Sequence, residues 1–234
     1  MINYGCRVAF CSPFLALAVG ACGAGTSPTS PGQVPAEARP QIRQILVLGD
    51  SLAISPSRAQ SFPAVLQARI DELRLPWTIV NAGVGGDTTS GGLRRVDALL
   101  GADVGVLILA LGANDGLRGV DIARIESNLS GIIERAQARG VQVLLCGMET
   151  PPLQGWQYTL AFHRLFPRLA ARYDVVLVPF LLEGVALDPE LNGNDGIHPN
   201  AAGARRIAET VWPYLESVLG AGDRRVVSAG GVAS

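Results

Sequence analysis

Five short, continuously apolar runs, separated by helix-length amphipathic segments, constrain the fold of this chain more than any other feature. The runs cover 44–48, 77–80, 104–111, 141–146 and 175–178. Such runs read as strands buried on both faces of a parallel sheet. Between and after them, apolar residues recur at three- and four-residue steps near 59–73, 89–100, 122–139, 156–173 and 201–219, with Phe62, Val65, Leu66, Ile70 and Leu73 setting the pattern of the first. Gly140 is placed to stop the third helix, and Pro167 is expected to kink or divide the fourth. Strand–helix alternation predicts one three-layer α/β/α domain over 44–219, with a five-stranded, mostly parallel sheet and right-handed crossovers.

Composition removes several function classes. Hydrophobic residues are 48 % and charged residues 17 %, with a net charge of −1, so nothing in the charge balance points to a nucleic-acid partner. All 19 cationic side chains are Arg, which excludes a lysine nucleophile or Schiff base. Only two His are present, His163 and His198, too few for a His-rich metal site. No metal and no cofactor are expected.

The first forty residues read as targeting and tether rather than fold. An apolar run at 8–19 follows Arg7; a dozen residues suit a signal-peptide core and fall short of the ~20 that span a bilayer. Val19-Gly20-Ala21-Cys22 resembles a bacterial lipobox, which implies a signal peptide over 1–21, a lipidated Cys22 and an exported, membrane-anchored protein facing the periplasm or cell exterior. Ordinary cleavage giving a soluble exported protein is the alternative. The Pro/Gly/Ser-rich stretch at 22–43 is a flexible tether, and the small, polar 220–234 reads as a disordered tail. Of the four cysteines, Cys6 and Cys11 leave with the signal. Cys146 ends an apolar run and is expected in the core, so no intramolecular disulfide is expected.

In open α/β sheets, chemistry collects at the carboxyl ends of the strands. The first strand ends in Gly49-Asp50-Ser51-Leu52, where Gly49 permits a tight turn, Asp50 can cap or orient the backbone and Ser51 is exposed. By itself Ser51 is more often a turn or cap residue than a nucleophile, and the pattern is not the Gly-x-Ser-x-Gly elbow. The second strand runs into a Gly-rich turn, 81–89, that opens a helix and presents backbone N–H groups. It lacks a P-loop lysine and does not match Gly-x-Gly-x-x-Gly, so oxyanion donation suits it better than nucleotide binding. The third strand ends in Gly112-Ala113-Asn114-Asp115; the Asn114 amide can donate into a shared crevice or close an Asx-turn. The last long loop holds Asp195 and His198 three residues apart, followed by Pro199. One turn then brings the carboxylate to one imidazole nitrogen and leaves the other as a base. Half of a metal site is the competing reading, without a second ligand cluster to support it. His163, beside Phe162 and Leu165, reads as structural.

Gly49-Asp50-Ser51-Leu52, Gly86 within Gly-Gly-Asp-Thr, Gly112-x-Asn114-Asp115 and Asp195-x-x-His198-Pro199 occur in this order. Together they resemble the four signature blocks of the SGNH (GDSL) hydrolases, over nearly the whole domain. The likeness is greatest to the bacterial thioesterase I, arylesterase and lysophospholipase group. The resemblance implies a flavodoxin-like fold, a Ser51 nucleophile, a His198 base, an orienting Asp195, and an oxyanion hole from the Ser51 and Gly86 backbone N–H and the Asn114 side chain. It also implies a substrate-facing loop at 148–155, where Met148, Pro151, Pro152 and Leu153 could line an acyl pocket, with a purely structural loop as the alternative. The expected activity is hydrolysis of small-molecule carboxylic esters through an acyl-enzyme, with thioesters and lysophospholipids within the same chemistry. A non-catalytic lipoprotein holding acyl or glycan ligands is the alternative, and the complete set of catalytic residue types argues against it.

Overall fold

The structure, a computed structural model, describes residues 43–229, with side chains through residue 220. The signal segment, Cys22 and the tether up to residue 42 lie outside the described residues, as do 230–234. Five strands form one sheet: β1 (Arg43–Gly49), β2 (Trp77–Asn81), β3 (Val104–Ala110), β4 (Gln142–Cys146) and β5 (Val176–Val178). Their order is β2-β1-β3-β4-β5, and every pairing is parallel.

The helices are α1 (Phe62–Glu72), α2 (Thr89–Leu99), the short α3 (Ala113–Leu117), α4 (Ile122–Gln137), α5 (Trp156–Tyr173) and α6 (Ala201–Ala229). From β1 the chain moves to one edge of the sheet and then reverses past β1 to β3. With right-handed crossovers, that reversal puts α1 on one face and α2, α4 and α5 on the other. The packing agrees: α1 lies on α6, while α2, α4 and α5 lie side by side. The reversal also opens a crevice between the carboxyl ends of β1 and β3, the position at which such sheets bind ligands.

Burial follows sheet position. All seven residues of central β3 are buried, as are the last five of β1. Strand β2 is an edge, so Thr78 and Val80 face solvent and only the first of its residues, Trp77, is fully covered. Burial of every strand on both faces is therefore corrected at this edge, where, among the described residues, no further strand pairs with β2.

Two helices also differ from expectation. Helix α5 is continuous through Pro167, so of the kink or division expected there, the division does not occur. Pro167 and His163 both lie on the solvent face, so the His163 carbonyl that loses its amide donor stays open to water. The buried Phe162, Leu165, Phe166 and Leu169 hold the opposite face on the sheet side. Helix α6 runs on to Ala229, past the 219 boundary. Gly220 is not in a left-handed conformation and no proline follows, so neither usual helix stop operates there.

Candidate active site

The first turn after β1 is a single 3₁₀ turn, Ser51–Ala53, capped by Asp50, whose carboxylate accepts from the Leu52 N–H at 2.9 Å. Ser51 therefore projects at the strand end on a short, internally bonded turn. It meets His198, 147 residues later: His198 Nε2 lies 2.8 Å from Ser51 Oγ. On the other side of the ring, Nδ1 lies 2.5 Å from Asp195 Oδ2.

Asp195 is held by its own turn. Its Oδ1 accepts the backbone N–H groups of Ile197 and His198, both at 3.0 Å, and Gly196 supplies a φ of +67°. The His198 side chain, followed by these backbone donors, holds the Asp195 carboxyl well below the usual carboxylate range. Because that carboxylate is ionised, it favours a proton on Nδ1, leaving the Nε2 lone pair directed at Ser51.

The loop carrying this pair is anchored from both ends. Asn192 donates to the carbonyls of Val185 (2.6 Å) and Asp188 (2.8 Å). Asn200 donates to Glu190 and caps α6 by accepting from Ala202 and Gly203. Gly203 is required here, since a Cβ would run into the Leu191 carbonyl.

After β2, Val84–Asp87 form a turn closed by Asp87 N–H to Val84 O at 3.1 Å, with Gly86 third at φ +71°. A positive φ at that position alone is the type II signature and calls for glycine. Among the described residues, the backbone N–H groups of Ser51 and Gly86 donate to no protein acceptor. They are the two backbone donors expected for an oxyanion.

Asn114 stands in α3, at the end of β3. Its Nδ2 donates to Asp50 Oδ2 at 3.1 Å and to the Asp87 carbonyl at 3.0 Å. The amide thus bridges the nucleophile turn and the Gly86 turn, and an oxyanion would compete for the Asp87-directed proton. Asp50 is fully buried. Burial pushes its carboxyl up to about 6, against the opposing pull of the Leu52 and Asn114 donors and nearby His198.

Asp115, to which the strand-end motif alone assigns no role, braces this constellation. It is 1 % exposed and accepts from Thr89 N–H (2.9 Å) and Thr89 Oγ1 (2.7 Å), at the first turn of α2. The adjacent Asn-Asp pair was the available signal; its partner, 26 positions earlier, was not.

The 148–155 segment packs on the stretch that carries Asn114: a Cβ on Gly116 would touch Thr150, and one on Gly119 would press on Gln154. Met148 is corrected from pocket lining to core, being 2 % exposed behind Gly112. Pro151, Pro152 and Leu153 are exposed, Leu153 at 71 %. Cys146 is buried as expected, and burial pushes its thiol up to about 12. His163 is exposed and pairs with Glu149 at 3.2 Å. Among the described residues, no group of three or more His, Cys, Asp or Glu stands close enough together to hold a metal ion.

A strand-end serine with its own imidazole and carboxylate, on a five-stranded parallel sheet in three layers, fits the serine hydrolases of flavodoxin-like architecture. The pattern of the GDSL-like lipase/acylhydrolases matches residues 47–206. Esterase TesA of Pseudomonas aeruginosa is 41 % identical over 178 residues, 75 % of this chain and 89 % of that protein. The arylesterase of Vibrio mimicus is 39 % identical over 175 residues, 74 % of this chain and 88 % of that protein. A crystal structure of TesA superposes with a TM-score of 0.72 at 39 % identity, covering 75 % of this chain and 99 % of that one. The chain belongs to the GDSL-like lipase/acylhydrolase family and is a carboxylic ester hydrolase of the SGNH type.

Proposed function

We propose that the protein hydrolyses carboxylic esters through an acyl-enzyme on Ser51. The observation that carries this reading is the continuous hydrogen-bonded chain from Ser51 Oγ through His198 to Asp195, at 2.8 and 2.5 Å. Ser51 Oγ attacks the ester carbonyl as its proton passes to His198 Nε2, and Asp195 stabilises the imidazolium so formed. The charge on the tetrahedral oxygen falls to the N–H groups of Ser51 and Gly86 and the amide of Asn114. His198 returns its proton to the leaving alcohol, and water repeats the sequence to release the acid.

The alcohol and acyl specificity belong to the rim, where Pro151, Pro152 and Leu153 are placed to meet an acyl chain. Aryl and acyl esters are the preferred substrates, with lysophospholipids next. Acyl-CoA thioesters are cytosolic, and the N-terminal segment supports an exported protein tethered through a lipidated Cys22.

A p-nitrophenyl ester series from two to sixteen carbons tests the activity. Wild-type protein is expected to hydrolyse the series and Ser51→Ala to lose at least a thousandfold. A folded wild type without hydrolysis would sink the reading. For the anchor, palmitate labelling should vanish in Cys22→Ser, and unchanged labelling would exclude it.

A further inference from the structure

Arg95 projects from the second turn of α2, the helix that begins where the Gly86 turn ends. Long side chains on helices lean toward the N-terminus, so its guanidinium reaches back under that turn. All three of its nitrogens donate, each to a different residue. Nε bonds Asp87 Oδ2 at 2.8 Å, Nη1 the Ala82 carbonyl at 2.6 Å, and Nη2 the Gly49 carbonyl at 3.0 Å. Gly49 immediately precedes Asp50 and Ser51; Ala82 and Asp87 flank the Gly86 turn. One rigid, planar cation therefore spans the two segments that carry the two free backbone N–H groups.

The surrounding sequence makes room for this. Gly91 has no side chain because a Cβ there would collide with the Asp87 carboxylate. Gly83 passes so close to the nucleophile turn that a Cβ would touch Ala53, Ile54 and the Asp50 carbonyl. The two segments are also joined by Asn81 Nδ2 to the Ala53 carbonyl at 2.7 Å, through the Asn114 amide, and by Val84 N–H to Gly49 O at 3.1 Å, a bond that shares its acceptor with Arg95. Asp87 in turn offers its carbonyl to Asn114, so the same carboxylate–guanidinium pair also sets where the third donor sits.

We infer that Arg95 is a positioning residue for the oxyanion hole: its guanidinium fixes the Gly86 turn against the Ser51 turn, and so sets the spacing of the donors that meet the transition state. The inference rests on the Ser51 acyl-enzyme reading. The guanidinium is a planar fork rather than a point charge, and a lysine at this position cannot serve three divergent acceptors. Misplacement of catalytic groups by about 1 Å lowers rate by about a hundredfold. Because the donors act in the transition state, the loss belongs in kcat rather than KM.

The test uses the full chain and p-nitrophenyl butyrate, assayed well below each variant's melting temperature. Arg95→Met and Arg95→Lys are each expected to lose about a hundredfold in kcat with KM nearly unchanged. Affinity for an alkyl boronic acid, which mimics the tetrahedral state, should fall in parallel, and affinity for butyrate should not. The side chain is 24 % exposed, so the slot left by Arg95→Ala is open, and millimolar guanidinium should restore part of its kcat. Arg168→Met, which breaks a surface pair with Glu126 across α4 and α5, is the control and keeps wild-type kcat. Arg95 variants that stay folded and work within threefold of wild type would overturn the inference, as would a loss of kcat that merely follows loss of folded protein. An inactive wild type would instead remove the acyl-enzyme reading, and this inference with it.

Discussion

Asp50 makes the fold pay for its site in a way that pH can read. Its carboxyl is buried beside Asn114 and Leu52, and burial lifts it from 3.8 to about 6. The folded protein thus binds this proton more tightly than the unfolded chain does. Its contribution to stability is fully present below the unfolded value and is lost as the pH rises through 6. At 1.36 kcal/mol per pH unit the whole span is about 3 kcal/mol, of which about 2 kcal/mol falls between pH 4 and 7. Asp50→Asn removes the titration. Groups remote from Asp50 contribute equally to both proteins, so the informative quantity is the difference in unfolding free energy between them. Urea denaturation at half-unit steps from pH 4 to 7.5 measures it. The Asn variant carries a constant penalty for its mismatched amide, and gains on wild type by about 2 kcal/mol across the range. A difference that stays flat within about 0.5 kcal/mol would refute the reasoning and place Asp50 as an ordinary ionised carboxylate.

Further outcomes follow from the same contacts. Asn114→Ala should lower kcat by about a hundred- to a thousandfold with little change in KM, the usual loss for one oxyanion donor; steady-state kinetics decide it. Phe162 is fully buried, stacks on Tyr158 at 6.2 Å, meets Phe166 edge-on at 5.5 Å and backs Gly116 in α3. Phe162→Ala should destabilise by about 3–5 kcal/mol in chemical denaturation. Cys146, buried with its thiol near 12, should resist iodoacetamide at pH 8 in the native protein and react in urea, as peptide mass spectrometry would record.

Local signals in the sequence located the elements well. The apolar runs became five parallel strands, α5 begins and ends where its periodicity does, and Gly140 takes a φ of +71° after α4. Ser51, Asp195 and His198 were legible because each stands in a short strand-end or loop motif whose chemistry is local. The bracing residues were not, because their partners are remote in sequence. Arg95 lies 46 positions from Gly49, and Asp115 lies 26 from Thr89. Nothing in the local pattern distinguishes Arg95 from Arg94, one exposed and one reaching under a turn; only the placement of α2 beside β1 does. Met148 misled for a related reason. It sits in a loop whose neighbours are exposed, while its own side chain fills the core behind Gly112. The undivided α5 shows the same dependence on context, since Pro167 is tolerated where solvent replaces the lost backbone donor.

The acyl-enzyme itself is the most direct test of the proposed chemistry. Protein mixed with p-nitrophenyl butyrate and quenched in acid within the first turnovers should gain the mass of one butyryl group, mapped by peptide fragmentation to Ser51. Ser51→Ala should gain none, and His198→Ala should acylate far more slowly. A butyryl group on any other residue, or hydrolysis by a folded Ser51→Ala protein at near wild-type rate, would contradict the assignment.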